Sequence, residues 1–124
     1  MYNLKFDKET DRFNRYSGFV DGVKFEIYIE KWRTPSPVPG SIFVEIGIPD
    51  DFEDKTKYKR EDTSEKPSNL NKPIYEELGY IEEMTKTIRY DPTAVRNEWQ
   101  VGSVYIPKDL VPNHEIISIF IEWH

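Results

Sequence analysis

Apolar and polar residues alternate along most of this chain, at the period of two that a strand with one buried face imposes. The clearest stretch is FNRYSGFV (13–20), then Asp21-Gly22, then VKFEIYIE (23–30). Val23, Phe25, Ile27 and Ile29 share one face, while Lys24, Glu26, Tyr28 and Glu30 share the other. Asp-Gly between two such runs predicts a type I′ hairpin, because both central residues must take positive φ. YNLKF (2–6) reads as a short first strand, and SIFVEIGI (41–48) as another with Ile42, Val44, Ile46 and Ile48 inward. IEEMTKTIRY (81–90), EWQVGSVYI (98–106) and IISIFIEW (116–123) follow, with Ile117, Ile119, Ile121 and Trp123 on one face of the last.

Two connections interrupt the alternation. KWRTPSPVPG (31–40) has prolines at alternate positions, which favours a stiff, extended path. Residues 49–73 are charged and poor in aliphatics, so they read as a mobile insertion or as partly helical around 51–60. There Asp51–Lys55 and Glu53–Lys57 are i,i+4 pairs of the favourable polarity. A short helix is predicted over 73–78: Asn71 as cap, Pro73 in the first turn, Glu76 and Glu77 in its N-terminal half, and Gly79 as the stop.

The chain also repeats itself. YIEKWRTPSPVPGSIFVEI (28–46) aligns without a gap on YIPKDLVPNHEIISIFIEW (105–123), 77 residues further on, with eight of nineteen positions identical. The identities include Tyr28/Tyr105, Lys31/Lys108, Phe43/Phe120 and Glu45/Glu122. Shared alternation does not explain a ten-residue connection of equal length. Each half is therefore read as three strands, units of about 13–48 and 81–123 joined by a linker at 49–80, which must pack together to bury their apolar faces.

Composition agrees with strands. Isoleucine and valine number 21 against seven for leucine, alanine and methionine together, the reverse of a helical bias. The expected fold is all-β: a single domain over 1–124, an antiparallel barrel or sandwich of two duplicated three-stranded units, with a long charged insertion carrying a short helix.

Charge and residue inventory narrow the chemistry. With no cysteine, disulfide scaffolds, thiolate metal sites and cysteine nucleophiles are excluded. A net charge of −6 argues against nucleic acid and anionic membrane as partners. No apolar run approaches the ~18 residues of a spanning helix. The first residues lack a basic-then-apolar leader, so a cytoplasmic location is expected. His114 sits in a Pro-Asn-His turn without a nucleophile motif, and no phosphate-binding glycine loop is present. Asp50, Asp51, Glu53 and Asp54 lack the spacing of a calcium loop and are followed at once by lysines. Glu45 and Glu122 would serve glycoside hydrolysis only if held about 5–10 Å apart. No catalytic residue, metal ligand or cofactor is assigned.

Aromatics remain as binding candidates. Tyr28, Phe43, Tyr105 and Phe120 lie on the non-core parity of their strands, and Trp32 lies in a turn. Aromatics on both faces of a sheet call for a cover, either the insertion or another subunit. The expected function is a non-enzymatic protein-interaction domain, an inhibitor or accessory subunit, that binds a protein partner or forms a homodimer. The alternatives are a small-ligand or carbohydrate-binding module and a carboxylate-based hydrolase.

Overall fold

A computed structural model describes residues 1–59, 69–112 and 115–124. Its eight strands are β1 (Tyr2–Glu9), β2 (Phe13–Val20), β3 (Val23–Glu30), β4 (Ser41–Gly47), β5 (Ile74–Glu83), β6 (Thr87–Pro92), β7 (Val101–Pro107) and β8 (Ile116–Trp123). They pair antiparallel into one closed barrel in the order β1-β2-β3-β7-β6-β5-β8-β4, with β4 returning to β1. Closure removes the edges that an open sandwich would expose.

The β2–β3 hairpin turns at Asp21 (φ 50°) and Gly22 (φ 78°), the two left-handed residues that its turn type requires. The inward apolar residues of all eight strands form a single core. Ile27, Ile29, Ile42, Val44, Val104, Ile106, Ile119 and Ile121 are all fully buried within it. The barrel interior is therefore filled by side chains, as in other small barrels.

The predicted helix over 73–78 is instead the start of β5. Ile74, Glu76 and Leu78 point inward at alternate positions, and Ile74 and Leu78 are fully buried in the core. The predicted strand over 81–90 is broken by a turn where Met84 N–H donates to Thr87 O (2.9 Å), so its first part belongs to β5 and the rest to β6. Helical structure does occur in the charged segment, as a 3₁₀ run over Pro49–Tyr58, with Asp51 Oδ2 accepting the Ile48 N–H (3.1 Å). Of the segment 49–73 expected to be mobile, residues 60–68 lie outside the described residues, as does His114.

The repeated segments occupy like places in the barrel. β3 and β7 are neighbours, as are β4 and β8. Residues 77 apart face one another at Ile27↔Val104 and Val44↔Ile121. Each of β3 and β7 ends in a 3₁₀ turn, Lys31–Arg33 and Lys108–Leu110. The flanking residues match: Glu30 (φ −54°, ψ 136°) with Pro107 (−52°, 135°), and Thr34 (−85°, 131°) with Val111 (−87°, 127°). Exchanging β1–β4 with β5–β8 leaves the strand order of the barrel unchanged, so its halves have four strands rather than the expected three. The Ile27–Val104 pair lies on one wall and the Val44–Ile121 pair on the opposite wall.

Candidate functional site

On the wall around Ile27–Val104, the outward residues form a symmetric row. Arg15 on β2 pairs with Tyr28 on β3, and Arg89 on β6 pairs with Tyr105 on β7. The two tyrosine rings meet edge to face at 6.3 Å, and Phe13 extends the row at 5.9 Å from Tyr28. The Phe13 ring fills the space where Gly102 has no side chain; a Cβ there would stand 2.7 Å from the ring.

Each arginine is held by an aspartate that also accepts a serine hydroxyl. Arg15 Nε donates to Asp7 Oδ1 (2.8 Å), and Ser17 Oγ donates to Asp7. Arg89 Nη2 donates to Asp91 Oδ2 (3.1 Å), and Ser103 Oγ donates to Asp91 Oδ1 (2.8 Å). Partial burial works against the Asp7 carboxylate, but the bonds from Arg15 and Ser17 together outweigh it and hold its carboxyl below the usual range. The same bonds raise Arg15 and Arg89 above the ordinary guanidinium value, chiefly through Asp7 and Asp91. Both guanidinium groups are thus fixed cations in a set geometry.

Beside the tyrosines opens a shallow cleft of about 570 Å³, bounded by Phe19, Val23, Lys24, Glu26, Met84 and Lys86 among others. Phe19 is 73% exposed and Met84 42% exposed, so large apolar area meets water here. Sequence reasoning singled out Tyr28 and Tyr105 but missed Phe19 and Met84. Phe19 shares the parity of Arg15 and Ser17 on β2, which is the signal that could have found it.

The other predicted site residues lie elsewhere. Phe43 and Phe120 occupy the opposite wall, on β4 and β8. Of the two covers expected for Phe120, the insertion or another subunit, the insertion supplies it: Phe120 is 2% exposed because the 3₁₀ run lies over it. Phe52 and Tyr75 pack with it, the Tyr58 ring approaches to 5.4 Å, and Lys55 Nζ stands 4.9 Å above its ring. The chain thus covers its own second aromatic layer on that side. Phe43 is half-buried against His124 at 4.5 Å, and Trp32 is half-buried in its turn. Trp123, expected in the core, sits half-buried beside it, with Nε1 donating to Lys72 O (3.3 Å). Glu45 and Glu122 are diagonal neighbours on this outer wall, opposite Phe120 and Phe43, and Glu122 is exposed.

Buried charge also gathers beyond the ends of β3 and β7. Arg33 is 1% exposed and donates to Gln100 Oε1 (2.8 Å), Leu70 O (2.8 Å), Lys72 O (2.6 Å) and Pro73 O (3.1 Å). Gln100 in turn donates through N–H and Nε2 to Glu76 Oε1. Glu30, equally buried, accepts from Arg12 Nε (2.6 Å). This network fixes the chain where it enters β5. Glu76 also lines a cleft of about 650 Å³ between the 3₁₀ run, β5 and the β6–β7 connection.

Among the described residues no group of three or more acidic or histidine side chains converges as a metal site, and no helix is long and apolar enough to cross a membrane. Comparison with known protein families, curated proteins and solved structures found no match.

Proposed function

We propose that this chain is a non-enzymatic protein-interaction domain, in the class of an inhibitor or accessory subunit, and that its contact surface is the outer wall of β2, β3, β7 and β6. The observation that carries the reading is the uncovered Tyr28–Tyr105 row with Phe19 and Met84 exposed beside it. Tyrosine and arginine dominate binding hot spots because they combine large apolar area with few torsions to freeze or with rigid donors. The paired arginines are already fixed by Asp7 and Asp91, so little ordering cost remains on docking.

A small-ligand module is the second reading, supported by the cleft that Glu76 lines. The interior itself is packed, which speaks against a ligand held inside the barrel. The tyrosine rings stand at 71° to each other, a poor platform for the flat face of a sugar.

The test is affinity capture with the full chain as bait. The wild type and Val38→Asp, altered on an exposed loop, should retain the same protein, while Phe19→Asp should lose it. Equal retention by Phe19→Asp would refute the assigned surface.

A further inference from the structure

We propose that the occupant of this wall is a second copy of the same chain, docked wall to wall about a twofold axis; this rests on reading the wall as the contact surface. The wall repeats itself. Arg15 with Tyr28 and Arg89 with Tyr105 are like halves disposed about the Ile27–Val104 pair, each arginine held by an aspartate that takes a serine hydroxyl. A partner that fits both halves equally must itself present two like halves, and a second copy does. In a twofold contact the same patch meets itself, so each favourable contact recurs from the other copy. Here it also recurs approximately between the two halves of each copy.

Charge favours the same occupant. The chain carries −6, so two copies repel in most orientations. On this wall Arg15, Lys24 and Arg89 are matched by Asp7, Glu26 and Asp91, and Lys86 adds a further cation. The residues named here therefore lack the excess negative charge of the whole chain, and self-repulsion is weakest where they meet. The opposite wall is less suited, since Phe120 is already buried under the 3₁₀ run and Glu45 and Glu122 flank it. Phe19 and Met84 supply the apolar surface that the pair removes from water.

Sedimentation equilibrium of the full chain over a micromolar to millimolar range tests this. The expected result is a species of twice 14.8 kDa for the wild type and for Val38→Asp. Phe19→Asp should keep the native near-ultraviolet spectrum and raise the dimer dissociation constant by roughly thirtyfold or more, the loss typical of a hot-spot residue. Met84→Glu, across the same cleft, repeats the test should Phe19→Asp lose its fold. A wild type that stays monomeric throughout overturns the second copy as occupant. If Phe19→Asp also loses a captured heterologous protein, the contact-surface reading survives that result. A dimer that neither variant weakens overturns this wall as the site of self-association, and equal retention of a captured protein by Phe19→Asp overturns the contact-surface reading.

Discussion

Replacing Arg33 should show how strongly the barrel depends on one buried cation. Its guanidinium reaches a side-chain oxygen and three backbone carbonyls at 2.6–3.1 Å, which tie the turn after β3 to Gln100 and to the strand entry at 70–73. Hydrogen bonds from a charged donor contribute about 1.5–3 kcal/mol each, and a buried acceptor left without a donor costs about 1–3 kcal/mol. Arg33→Lys keeps the charge but replaces a planar fork with a single ammonium that cannot reach all four acceptors. The expected loss is about 3 kcal/mol for Arg33→Lys and about 4 kcal/mol for Arg33→Met, against a total stability of about 5–15 kcal/mol for a domain of this kind. Urea unfolding followed by tryptophan fluorescence should show a lower midpoint at unchanged slope. Amide exchange at Ile74 and Tyr75 should quicken more than at Ile27. If both variants fall within about 1 kcal/mol of wild type, the clamp is not what holds the entry to β5.

Three further outcomes follow from the geometry. Phe120→Ser should destabilise the fold by about 3–5 kcal/mol, as expected for emptying a buried aromatic site, while leaving association of the folded molecules unchanged; calorimetry with sedimentation separates the two effects. Gly102→Ala should cost about 1–3 kcal/mol through collision with the Phe13 ring, and a double-mutant cycle with Phe13→Leu should recover part of it; strict additivity would mean that the two sites do not touch. Burial pushes the Tyr16 phenol up to about 12, above its unfolded value of about 10, so its contribution is whole below pH ~10 and is lost as pH rises toward 12. Tyr16→Phe should therefore flatten the alkaline fall in melting temperature, and an unchanged profile would count against burial as its cause.

Much of the barrel was legible because period and turn chemistry agreed. Asp21-Gly22 marked its hairpin, and Ile27, Ile29, Ile42, Val44, Ile117, Ile119 and Ile121 of β3, β4 and β8 were placed inward by parity. β5 was misread because Glu76 interrupts its inward alternation, and the bonds from Gln100 that make a buried glutamate tolerable there come from a residue 24 positions away. Its turn to β6, Met84-Thr85-Lys86, carries no glycine, proline or asparagine to announce it. β1, though read as a strand, was left outside the first unit, and most of β5 outside the second, because the ungapped match holds only from β3 to β4 and from β7 to β8. Barrel pairing sets Arg15-Tyr16 against Arg89-Tyr90, a spacing of 74 rather than 77. That recurring Arg-Tyr was the available signal.

For the candidate site, parity distinguished outward aromatics from core but could not say which would be covered. Tyr28 and Tyr105 remain on an open wall. Phe120, of the same parity class, lies under a segment whose charge made it look too polar to pack, although Phe52 and Tyr58 anchor it.

The most direct test of the contact surface is hydroxyl-radical footprinting of the chain free and in its complex, whether with a second copy or with another protein. Met84 and Met1 are the only methionines, and both are exposed in the isolated chain. Complex formation should slow oxidation of Met84, together with Phe19, Tyr28 and Tyr105, and leave Met1 and Val38 unchanged. Protection centred on Phe43, Glu45 and Glu122, with Met84 as reactive as in the free chain, would contradict the account.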